Sequence, residues 1–139
     1  MDILKAMAIL LGCSAILDDL RRGVISNWIS VSAMVGGLLY HALRGGWRGL
    51  AMAAGGALVG LAVFLAPYCL GGMGGGDVKL MAAFGALLGP WGILTAALLA
   101  SILGGLMAAV SQIFRSGRKA IPYGPAIVLG AWLSCLAGR

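Results

Sequence analysis

Gly71-Gly72-Met73-Gly74-Gly75-Gly76-Asp77-Val78-Lys79-Leu80 is flanked on both sides by apolar runs. Five glycines among residues 71–76 cannot hold a helix, because each costs about 1 kcal/mol against alanine. The backbone here is built to be irregular. Upstream, Leu50 to Leu70 has the length of a spanning helix, which needs about 20 largely apolar residues. Downstream, Leu80 to Phe114 is a run of 35 residues without a charge. As one helix it would be about 52 Å long, too much for a single crossing of a core about 30 Å thick. Gly89-Pro90-Trp91-Gly92 divides it into a short helix, a thin crossing or a re-entrant segment, and a full span from Trp91.

The same reading extends to both ends. Ile3 to Leu17 is a first span, with Lys5 able to reach the headgroups, followed by the polar stretch Asp18 to Asn27. Its apolar run ends in Asp18-Asp19-Leu20-Arg21-Arg22 and not in a small-residue cleavage site, so it reads as a retained span and not a signal peptide. Trp28 to Leu43 is a second span, and the short loop Arg44-Gly45-Gly46-Trp47-Arg48 leads back into the third. After the broken run come a basic loop, Arg115 to Lys119, and a last span, Ile121 to Ala137, opened by Pro122-Tyr123-Gly124-Pro125. The expected fold is all-α: one polytopic membrane bundle over residues 1–139, with about six transmembrane helices.

Composition agrees. Of 139 residues, 61% are hydrophobic and 10% charged, with a mean hydropathy of +1.02. A soluble domain carries about a quarter of its residues charged, so this chain cannot cover a core with polar surface. The sequence has 24 Gly and 23 Ala, the small residues through which transmembrane helices approach closely. Gly56 and Gly60, and again Gly85 and Gly89, have the spacing that puts both on one helix face.

Net charge is +6, but the ten basic residues are scattered between apolar runs, with no basic stripe interleaved with aromatics. They read as membrane-surface contacts, and no nucleic-acid partner is expected. Loops on one side hold Arg21, Arg22, Lys79, Arg115, Arg118 and Lys119, against Lys5, Arg44, Arg48 and Arg139 on the other, which places the first set in the cytoplasm. Cys13, Cys69 and Cys135 form no CxxC pair and read as small buried hydrophobes; one His cannot complete a zinc site, so no metal is expected.

The acids are the scarcest resource. There is no Glu, and the only Asp are Asp2, Asp18, Asp19 and Asp77. Two full spans separate the Asp18–Asp19 stretch from Asp77, so they meet the same membrane face. An ionisable residue at that depth points to function and needs a partner, here Asp18 or Asp19. Two carboxylates about 3 Å apart cannot both ionise. One then holds a proton while the other activates a water, the arrangement that hydrolyses a peptide. The alternative role for Asp77 is to cap the helix that follows. His41, at the end of a span with no acid on its side, offers no serine-protease base. Rival readings are a small ion- or proton-coupled transporter or channel using the aspartates, and a structural membrane subunit that they merely assemble.

Three segments resemble a known family in its own order. Gly74-Gly75-Gly76-Asp77-Val78-Lys79-Leu80 is similar to the GxGDxKL motif of the type IV prepilin peptidases, membrane aspartyl proteases of the GxGD class. Asp19-Leu20-Arg21-Arg22-Gly23-Val24-Ile25-Ser26-Asn27 is similar to their D-x-R-x-x-x-I-P-N motif, with Ser26 where the family carries Pro. Ile121-Pro122-Tyr123-Gly124-Pro125-Ala126 resembles their segment before the last span. The resemblance implies an aspartic endopeptidase with Asp19 and Asp77 catalytic and Asp18 a flanking charge. Gly74, Gly76, Arg21 and Asn27 would then belong to the active-site loop or touch substrate. Lys79 reads either as a substrate contact or as a headgroup anchor.

The resemblance further implies a pilin or pilin-like precursor as partner, cut after a Gly at the cytoplasmic face of the inner membrane, with no cofactor. The sequence lacks the CxxC-bearing N-terminal domain of bifunctional members. It therefore resembles the minimal Tad/Flp-type or preflagellin peptidases, from which methyl transfer is not expected. Nothing in the sequence fixes an oligomeric state.

Overall fold

In a computed structural model, residues 3–113 and 123–137 are described. They form four helices: α1 (Ile3–Arg22), α2 (Asn27–Cys69), α3 (Gly75–Ile113) and α4 (Gly124–Ala137). The expectation of about six transmembrane helices is thereby corrected: α2 and α3 run to 43 and 39 residues, and these two are long and apolar enough to cross a membrane.

The breaks expected at Arg44–Arg48 and Gly89–Gly92 exist, but each is confined to one residue. Gly46 (φ 55°) and Gly89 (φ 73°) take left-handed backbone inside otherwise helical runs. Only glycine adopts this region without a Cβ penalty, so a single residue redirects the chain where a loop was expected.

Contacts show that both breaks fold the helix back on itself. Before Gly46, α2 runs parallel to the start of α3, with Asn27 beside Lys79 and Gly37 against the Ala86 backbone. After Gly46 it runs antiparallel to the same stretch, with Gly56 on Gly85 and Gly60 on Met81. A Cβ on Gly56 would fall on the Gly85 carbonyl oxygen, and one on Gly85 would fall on that of Gly56. The small-residue spacing therefore marks a real seam, where the two backbones touch. Past Gly89, α3 returns alongside α4, with Gly104 under the Tyr123 ring and Ser134 Oγ donating 2.7 Å to the Gly92 carbonyl. α1 is antiparallel to α4, tied by Trp132 Nε1 donating 3.0 Å to the Ala8 carbonyl.

The first part of α3 is the centre of the bundle. Leu80, Met81, Phe84 and Leu87 are fully buried, and every residue from Leu80 to Leu87 lies in the core. A helix apolar all round is one surrounded on all sides. Large apolar side chains such as Leu10, Leu58, Leu98 and Leu106 point outward instead. So do Cys13 and Cys69, which corrects their reading as buried hydrophobes.

Two further boundaries differ from expectation. α1 continues through Asp18 and Asp19, because no breaker occurs before Gly23, whose amide closes the helix on the Asp19 carbonyl at 2.9 Å. α3 begins at Gly75, so only residues 70–74 of the glycine stretch are irregular. Packing against the bundle overrides the weak helix propensity of Gly75 and Gly76. Asp2, the basic loop Arg115–Lys119, and Ile121 and Pro122 lie outside the described residues.

Candidate active site

One end of the bundle gathers the last turn of α1, the first turns of α2 and α3, and the start of α4. The registers above bring them there: α1 and α4 are antiparallel, and the start of α3 lies between the halves of α2. Asp19 and Asp77, 58 positions apart in sequence, both lie at this end, and the Asp19 carboxylate is close enough to act electrostatically on Asp77.

Asp77 is buried in the first turn of the central helix. Its amide donates 3.2 Å to the Gly74 carbonyl, and its carboxylate accepts from the Gly74 backbone amide. This is the reciprocal contact a third-position acid makes in a helix capping box. The helix cap, the alternative role for Asp77, is thus present in the structure. Gly74 is exposed at the start of the turn. Gly76 sits against the Ile25 backbone, where an added Cβ would lie 3.3 Å from the Ile25 Cβ and 3.4 Å from its nitrogen.

Asp19 is half-buried on the α4-facing side of α1. The Gly124 backbone amide interacts with its carboxylate, yet Oδ2 is buried and has no hydrogen-bond partner among the described residues. A Cβ on Gly124 would lie 2.5 Å from that oxygen and 2.9 Å from Cγ. Gly124 therefore makes the room in which Asp19 sits. A buried carboxylate oxygen left without a donor is costly in a resting protein and useful where a water or a scissile amide is to be bound.

The remaining candidates divide. Lys79 Nζ donates 2.9 Å to Asn27 Oδ1, so both stand together at the rim, where they tie the start of α2 to the start of α3. Arg21 is exposed at the end of α1, and no described contact joins it to the aspartates. Asp18, expected only as a flanking charge, accepts the Ser26 amide at 3.3 Å through Oδ2. Gly124, against which the Asp19 carboxylate sits, was missed as a site residue, although it lies in the Pro-Tyr-Gly-Pro segment that the sequence made conspicuous. His41 stands at the opposite end of the bundle, on the Leu87 carbonyl.

Comparisons with known proteins show the family of the chain. The type IV leader peptidase family matches residues 6–109, a range that includes both aspartates. The chain is 33% identical over 129 residues to a prepilin leader peptidase/N-methyltransferase of Aeromonas hydrophila, covering 86% of this chain and 44% of that protein. It is 35% identical over 130 residues to one of Aeromonas salmonicida, again 86% and 44%, and 33% identical over 143 residues to one of Xanthomonas campestris pv. campestris, 91% and 48%. The chain thus spans less than half the length of these curated relatives. No solved structure matches it. With three quarters of its length matched by one family model and with relatives of this identity, the chain belongs to the type IV leader peptidase family.

Proposed function

We propose that residues 1–139 form one integral membrane domain that acts as an aspartic endopeptidase, with Asp19 and Asp77 as its catalytic pair. The observation that carries the reading is the placement of two aspartates, remote in sequence, at one end of the bundle, one of them with an unpartnered buried oxygen. One carboxyl holds a proton and polarises the scissile carbonyl. The other takes a proton from water, which adds to the carbonyl carbon. The tetrahedral intermediate collapses as the first carboxyl protonates the departing amine, and the pair returns to its starting state with its proton exchanged. Gly74 and Gly76, at the mouth, leave backbone accessible to an extended substrate, and Lys79 and Asn27 line its rim.

The substrate is a pilin-like precursor, cut at the membrane face between a short leader and an apolar helix. The names of the relatives support that class. Exposed Trp28 and Trp47 bracket the first half of α2 about 28 Å apart along the helix, close to the thickness of a bilayer core. In this placement the two halves of α2 cross separately and the chain turns at the interface beside Arg44 and Arg48. The part of α3 before Gly89 lies between the two halves of α2. The aspartate end faces the cytoplasm, with Arg21, Arg22 and Lys79 beside it.

The test is leader release. Purified wild-type protein, Asp19→Asn and Asp77→Asn are reconstituted in liposomes with a pilin-type precursor, and products are weighed by mass spectrometry. Wild type releases the leader, and each variant loses at least about a thousandfold in rate while remaining inserted. Cleavage by either variant at a wild-type rate overturns the pair.

A further inference from the structure

The turn between α1 and α2 bridges the two candidate aspartates. At one end the Gly23 amide donates to the Asp19 carbonyl at 2.9 Å. At the other, buried Ile25 lies against Gly76, the residue before Asp77. The length and stiffness of this turn therefore help to set how far Asp19 stands from Asp77. One side-chain hydrogen bond closes it, from the Ser26 amide to Asp18 Oδ2 at 3.3 Å.

Ser26 is an unusual N-cap. A serine there ordinarily contributes through its hydroxyl, but this one makes no side-chain cap bond. Its backbone is at φ −64° and ψ 132°, the φ at which a proline ring would lock the residue. What the site takes from Ser26 is a backbone amide, and that amide is spent on Asp18. Neighbouring residues on a helix point about 100° apart, so Asp18 reaches the turn while Asp19 reaches Gly124.

We infer that Asp18 is a positioning residue: its carboxylate holds the 23–26 turn in place and thereby fixes the spacing of Asp19 and Asp77. The inference rests on the peptidase reading above. Proline at position 26 would supply the same rigidity covalently and has no amide hydrogen to donate, so it makes Asp18 dispensable.

The experiment is a double-mutant cycle on the full chain in liposomes, with kcat and KM for a pilin-type precursor and hydrogen exchange across residues 23–27. Asp18→Ala lowers kcat about tenfold with KM little changed and speeds exchange in the turn. Asp18→Asn, which keeps an oxygen acceptor, restores most of the rate. In a Ser26→Pro background, Asp18→Ala costs less than about twofold relative to Ser26→Pro alone. Equal losses in both backgrounds, or no loss in the wild-type background, overturn the inference. If Asp18→Ala does not fold, the comparison of Asp18→Asn with Asp18→Ala/Ser26→Pro decides in the same way, since both must retain activity. Absence of cleavage by wild type would instead sink the peptidase reading itself.

Discussion

The imidazole of His41 donates from Nε2 to the carbonyl oxygen of Leu87 at 2.9 Å. That carbonyl lies just before the Gly89–Pro90 break, where the helix stops supplying amides to its own last turn. The single histidine of the chain is thus a cap on the central helix, remote from the aspartates. His41→Ala is expected to destabilise the protein by about 1–3 kcal/mol, the cost of a buried carbonyl left without a donor. Thermal unfolding in detergent reads this out, and His41→Gln recovers part of it. Activity per folded molecule stays within about twofold.

Asp77 makes a helix cap, and substitution separates that contact from the catalytic role proposed for it. Asp77→Asn keeps an oxygen for the Gly74 amide and loses the acid. Its melting temperature is expected to stay near wild type while cleavage disappears. Asp77→Ala loses both, at about 1 kcal/mol of stability. Differential scanning fluorimetry beside the cleavage assay distinguishes the variants.

Gly124→Ala places a methyl against Asp19 Oδ2 and Cγ. Asp19 must then leave its position, and if it is catalytic as proposed, a displacement of about 1 Å costs on the order of a hundredfold in rate. The expected result is a large fall in kcat with the protein still inserted and folded. A Gly124→Ala enzyme of full activity would show that Asp19 need not occupy the place described.

Topology is testable by thiol labelling on a background with Cys13, Cys69 and Cys135 replaced. Cysteines at Arg21 and Lys79 should react with a membrane-impermeant maleimide from one side, and a cysteine at Arg48 from the other. A single side for all three would contradict the fold-back at Gly46 as a membrane turn.

Much of this was legible along the chain. The loop expected over Arg44–Arg48 and the break expected at Gly89-Pro90-Trp91-Gly92 located both fold-backs, since charged residues, paired glycines and a proline interrupt the apolar runs there. Asp77 stood out because acids are so few, and topology placed Asp18 and Asp19 on its side. Choosing between those neighbours required a motif, because spacing alone does not say which of two adjacent residues faces inward. The contraction of expected loops to single residues was not legible. It follows from tertiary packing, which rewards continuing a helix wherever a partner surface exists. Nor were the His41 cap, the Gly124 pocket and the Asp18–Ser26 bond, all made between residues whose proximity only the folded registers create.

The mutual contact of Gly56 and Gly85 bears on how such a protein tolerates variation. Each residue occupies a place where only a hydrogen atom fits, so a saturation library selected for pilus-type processing would lose substitutions there as completely as at Asp19 and Asp77. Intolerance by itself would fail to tell seam from chemistry. Protein abundance would tell them apart: variants of the glycine seam disappear from the membrane, whereas aspartate variants persist there as full-length protein without the proposed activity.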